Sequence, residues 1–183
     1  MIDLGYIPPY LPYPVELWGT EAKRNAKVYN DVVRQFRVKT NARYQPGVRR
    51  QDGQRLTFCN IFLWDFTRAM KCEIPHWVSP EGGIAPVGKG KELTANGVVT
   101  WLHEHGKDWG WEPCSEASAR SKTLMGIPCV AVWQNHTSIG HVAVVVPAGY
   151  DITYIAQAGA SNFEFEPIRK GFGNIKPEFW THA

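Results

Sequence analysis

Residues 140–159 read GHVAVVVPAGYDITYIAQAG. Val142 to Val146 is an apolar, mostly β-branched run, and Pro147, Gly149 and Asp151 supply turn chemistry before a second run. The stretch therefore predicts two antiparallel strands, His141–Val146 and Ile152–Gln157. Cys129–Trp133 predicts a third. Upstream the apolar period lengthens. Ala22, Ala26, Tyr29, Val33 and Phe36 recur at spacings of three and four, which predicts a helix from about Glu21 to Val38 with Thr20 as its cap. Cys59, Phe62 or Leu63, Phe66 and Met70 mark a second helix starting near Thr57. A third covers about Leu93 to His105, and a short fourth runs from Ser115 to Met125. Helices followed by antiparallel strands indicate an α+β arrangement, helices packed on a small antiparallel sheet.

The chain has 183 residues, 44% hydrophobic and 20% charged, which fits one compact domain. Such a length buries roughly 70% of its unfolded surface, so no disulfide or metal is needed for folding. Its 8 Trp, 7 Tyr and 8 Phe exclude collagen-like, coiled-coil and disordered classes. The four cysteines (Cys59, Cys72, Cys114, Cys129) are expected as free thiols, because the N-terminus has no basic segment leading into an apolar one and synthesis is expected in the cytoplasm. No apolar run is long enough to span a bilayer, so no membrane partner is expected. Without heptads or a large apolar helix face, a monomer is expected.

Charge is uneven. From Glu21 to Arg55 there are 10 Lys/Arg against 3 Asp/Glu, which reads as a solvated helix surface with basic loops or as a face that meets a polyanion. No Cys/His finger, RNP-like aromatic motif or basic heptad region accompanies it, so no nucleic-acid partner is expected. Residues 1–19, rich in Pro and aromatics, predict an extended arm, and residues 39–56 a polar loop. Residues 79–91 form a Gly/Pro loop. Its Gly83 and Gly88-Lys89 imitate a phosphate-binding loop, but Gly90 replaces the magnesium-binding Ser or Thr and no strand precedes it.

The chemistry centres on Cys59. In the first turn of a helix, unpaired N–H groups and the dipole favour a thiolate, a candidate nucleophile; otherwise Cys59 is a small core residue. His141 puts an ionisable ring at the mouth of an apolar strand. If Val146 pairs with Ile152, His141 stands opposite Gln157, within about 5 Å at Cβ, and the amide can hold the imidazole in one tautomer. Asn162 is the alternative orienter, and a one-residue slip of register would remove Gln157 from that face.

Other groupings are weaker. His103, His105 and Cys114 lack zinc-ligand spacing, and neither metal nor cofactor is expected. Glu104 with Glu112 or Asp108 has the form of common helix-surface carboxylates rather than a glycosidase pair. Trp101, Trp109 and Trp111 read equally as a sugar-stacking wall or as core.

Thr57-Phe58-Cys59-Asn60 opening a helix, then Gly140-His141-Val142-Ala143-Val144-Val145 and a strand ending in Gln157-Ala158-Gly159, resembles the papain-like cell-wall cysteine hydrolases, the CHAP and NlpC/P60 superfamily. The likeness covers about residues 44–165. It implies a papain-like catalytic domain over 44–183, with residues 1–43 as an N-terminal arm and helix that match nothing in the family. It also implies Cys59 as nucleophile, His141 as base and a polar orienter at Gln157, where the family commonly has Glu, Asn or His. The oxyanion would be held by the Cys59 N–H and a donor from Gln54 or Tyr44. The implied activity is hydrolysis of peptidoglycan amide bonds, by a protein reaching the wall through a route such as phage lysis or a secretion machine. The alternatives are a non-catalytic wall- or carbohydrate-binding module and an intracellular thiol protease with a protein substrate.

Overall fold

The computed structural model describes residues 6–183, so the first five positions of the expected arm lie outside the described residues. The first helix is shorter than its apolar stripe predicts. Glu21–Lys23 makes one 3-10 turn, the chain then turns at Arg24, and helix α1 spans Ala26–Gln35. Asn25 is its cap, accepting from the Val28 N–H, while Thr20 makes no capping bond. Asn is at least as good a cap as Thr.

The expected 39–56 loop contains a short hairpin, β1 (Gly47–Val48) and β2 (Arg55–Leu56). Helix α2 (Cys59–Ala69) is buried along almost its whole length, including Ile61 to Thr67. A second hairpin follows, β3 (Trp77–Val78) with β4 (Lys91–Glu92). Helix α3 (Ala95–His105) is capped by the Thr94 side chain. Strand β5 (Trp111–Cys114) leads into α4 (Glu116–Leu124), capped by Ser115. The rest is β6 (Cys129–Trp133), β7 (His141–Val146), β8 (Tyr154–Ala158), β9 (Asn162–Pro167), the short α5 (Ile168–Phe172) and β10 (Glu178–His182). Six strands form one antiparallel sheet in the order β5-β10-β6-β7-β8-β9, so the α+β reading holds.

The expected β7–β8 register is off by two residues: Val146 pairs with Tyr154, not Ile152, and Val144 with Ala156. Side chains alternate with period two along a strand, so a two-residue shift preserves the face. Extending this ladder by one residue sets Gln157 across from Ala143, on the diagonal from His141 and on its side of the sheet.

Alternation gives the sheet two apolar faces. Val130, Val132, Val142, Val144, Val146, Ala156 and Ala158 pack in one cluster with Tyr29 and Phe36 of the N-terminal helix region and with Cys59, Phe62 and Phe66 of α2. Described residues between Tyr13 and Val38 thus contribute to the main core. Ala131, Ala143, Val145 and Ile155 pack on the other face with Ala119, Phe172 and Phe179. The arm is held by Arg43, a fully buried guanidinium that donates to the carbonyls of Pro8 (2.6 Å) and Leu11 (2.8 Å). No described helix is long and apolar enough to cross a membrane.

Candidate active site

Cys59 is the first residue of α2 and lines a cleft of about 350 Å³ together with Arg49, Gln54, Arg55, Glu92 and Ile139. Asn60 fixes one wall by donating to the Leu93 carbonyl at 2.8 Å. The Phe58 N–H donates to the Ala158 carbonyl (3.1 Å), tying the start of α2 to the end of β8. The Cys59 residue is 2% exposed. Burial pushes its thiol up, and the N–H groups of Val142, Asn60 and Cys59 with the Thr57 hydroxyl offset only part of that. The helix start therefore does not produce the expected thiolate, because desolvation of the charged form outweighs the donors.

His141 opens β7, and the glycine before it has a steric reason. A Cβ at Gly140 would fall on Asn96 Oδ1 and 2.5 Å from the Trp133 carbonyl. Asn96 needs that space: its amide accepts from the Asn135 N–H and donates to the Asn135 and Ser138 carbonyls, each at 2.9 Å. The loop delivering His141 is thus fixed by a side chain that periodicity does not single out.

The imidazole is held by Gln157. His141 Nε2 lies 2.7 Å from Gln157 Oε1, and Gln157 Nε2 donates to the Ser161 carbonyl at 3.0 Å. That second bond fixes which end of the amide faces the ring. Oε1 can only accept, so His141 carries its proton on Nε2 and keeps the Nδ1 lone pair. The Phe172 ring packs on the imidazole, centroids 4.8 Å apart. Burial lowers the His141 pKa, and the bond to Gln157 raises it part of the way back.

The structure thus brings His141 and Gln157 together on the α5 side of the sheet, and sets Cys59 among the α2-side core against Val142, the next residue of the same strand. No hydrogen bond joins Cys59 to His141 among the described residues. The alternative orienter is corrected: Asn162 pairs with Ala158 on the opposite face, and its amide donates to the carbonyls of Val38 and Tyr44. Tyr44 is likewise no oxyanion donor, being buried with its hydroxyl donated to Asp65 Oδ2 at 2.7 Å. Gln54 does line the cleft; its Oε1 accepts from Arg49, which leaves its amide N–H groups available. Trp101 and Trp109 form no wall there. Trp101 is buried and donates to the Gly82 carbonyl, and Trp109 lines a separate hollow with Trp18 and Lys71.

Compared with protein-family models the chain matches none, and compared with curated proteins it likewise matches none.

Proposed function

We propose that the protein is a cysteine amidohydrolase or endopeptidase acting on peptidoglycan peptides. The observation that supports this best is the His141–Gln157 pair, a buried imidazole locked in the Nε2–H tautomer at the start of the strand whose next residue touches the Cys59 thiol. The second support is the resemblance of Thr57–Asn60 and Gly140–Val145 to the cell-wall cysteine hydrolases.

This mechanism requires the thiol and Nδ1, which stand on different faces of β7 and share no hydrogen bond in the structure, to come within hydrogen-bond distance around the start of that strand when substrate binds. Nδ1 takes the thiol proton as sulfur attacks the amide carbonyl, and the oxyanion is met by the Cys59 N–H and the Gln54 amide. The imidazolium then protonates the leaving amine. Water, deprotonated by the same nitrogen, releases the acyl group and restores the thiol.

The second reading, a non-catalytic wall-binding module in which Cys59 is packing, draws on the 2% exposure of Cys59 and its place in the apolar core. Incubation of wild type and Cys59→Ala with purified peptidoglycan, followed by mass spectrometry of soluble fragments, separates the two. New amino termini from wild type alone support the hydrolase. Binding by both proteins without cleavage supports the module, and release of reducing sugar ends refutes the amide mechanism.

A further inference from the structure

The Gln157 amide is enclosed between two glycines on different elements. A Cβ on Gly171, in α5, would fall on Gln157 Oε1 and 2.7 Å from Ile155 Cδ1; a Cβ on Gly159, just past β8, would lie 2.9 Å from Gln157 Nε2 and 3.4 Å from His141 Cε1. Neither glycine has a positive φ, so neither is required by backbone conformation. What both positions forbid is a side chain next to the amide. The residue after Gly171 is Phe172, whose ring covers the imidazole.

From this arrangement we propose that α5 and the β8 end form a slot that positions the general base: Gly159 and Gly171 leave room for one orientation of the Gln157 amide, and Phe172 closes the slot over His141. Gly159, Gly171 and Phe172 are positioning residues, acting on the reaction through the Gln157–His141 bond. The inference rests on the hydrolase reading for its kinetic consequence, while its structural content concerns the imidazole tautomer. The colliding atoms at Gly171 include the far end of a flexible side chain. A methyl there displaces the amide from His141 and leaves the α5 backbone in an ordinary helical conformation.

The test is Gly171→Ala and Gly159→Ala, with Gly47→Ala as control because a Cβ there meets nothing within 4 Å. Nitrogen-15 NMR of the His141 ring reads tautomer and pKa directly. Wild type and Gly47→Ala are expected to show Nε2–H alone. Gly171→Ala is expected to show a mixture of both tautomers, a lower His141 pKa because the bond that favours the imidazolium is gone, and a kcat at least tenfold down with KM little changed. Gly159→Ala, which presses on the other end of the amide, is expected to move the same signals and covers the case in which Gly171→Ala does not fold. Wild-type tautomer and pKa in a folded variant would overturn the slot. An inactive wild type whose variants still lose the tautomer would instead overturn the hydrolase reading.

Discussion

Arg43 and Asp65 form an ion pair with no exposed side-chain surface, Nε to Oδ2 at 2.8 Å and Nη2 to Oδ1 at 3.1 Å. The same guanidinium holds the N-terminal arm through its carbonyls, and the same carboxylate accepts from Tyr44 in front of α2. The pair therefore links the arm to the helix that carries Cys59. Arg43→Met leaves a buried carboxylate without its cation and is expected to cost about 3–5 kcal/mol by chemical denaturation. It should also release the arm to chymotrypsin at Tyr10 and Tyr13. Arg43→Met with Asp65→Leu should recover much of the stability but not the protection of the arm, since the carbonyl donors stay absent.

Thiol reactivity is expected to follow the environment of each cysteine rather than its role. Burial pushes Cys59 and Cys72 up, and Cys129 is raised by the neighbouring Cys114 thiol together with burial. Cys114 is half-buried in a surface pocket, and the neighbouring Cys129 thiol lowers it. Iodoacetamide at neutral pH should therefore alkylate Cys114 first, roughly tenfold faster than the other three, because the thiolate is the reacting species. Peptide mapping over time checks the order. Cys59 labelled first in free protein would contradict the buried neutral thiol.

Part of this site was legible in the sequence and part was not, for physical reasons. The Val142–Val146 run located β7, and the shared face of His141 and Gln157 survived a wrong register because the error was even. The separation of Cys59 from His141 was not legible, since it depends on which face α2 covers. Strand β9 was missed although Phe163 and Phe165 alternate with Asn162, Glu164 and Glu166, a period-two signal. Pro113 hid β5, and α5 at five residues is too short to show a helical period. The glycines around Gln157 look like punctuation in sequence, and only the contacts reveal them as spacers.

Acid should weaken the fold through His76. Its ring is buried, stacked on Trp64 at 4.9 Å and set against the edge of Trp77, and burial lowers its pKa from 6.5 to about 4. The Glu92 carboxylate 3.0 Å from Nε2 is half exposed and does not offset this. Because the unfolded chain binds the proton more tightly, stability is complete above about pH 6.5 and is lost as pH falls toward 4. At about 1.4 kcal/mol per unit, the loss approaches 3 kcal/mol. His76→Phe keeps an aromatic on Trp64 without a proton site. Urea denaturation at pH 7 and pH 4.5 should show a markedly smaller difference in the variant than in wild type.

The pH dependence of hydrolysis should report the neutral orienter. Burial lowers His141, and the Gln157 amide, carrying no charge, only partly restores it. The base works with Nδ1 unprotonated, so kcat/KM should rise with pH to a plateau through a midpoint below 6.5. The raised Cys59 thiol places no falling limb below pH 9, unlike a resting thiolate–imidazolium pair, whose imidazolium is lost at that end. Gln157→Glu puts a carboxylate where Oε1 now accepts and favours the imidazolium, so the rising limb should move up by about 1–3 pH units. The same variant should lose activity at pH 6 and regain it at pH 8, whereas simple disruption of packing would lower the rate equally at both. Gln157→Ala removes the partner that raises the pKa and should move the limb the opposite way, to lower pH, with a reduced plateau. Opposite displacements by two substitutions at one position are not produced by loss of stability, so the pair of profiles isolates the hydrogen bond between Gln157 and His141.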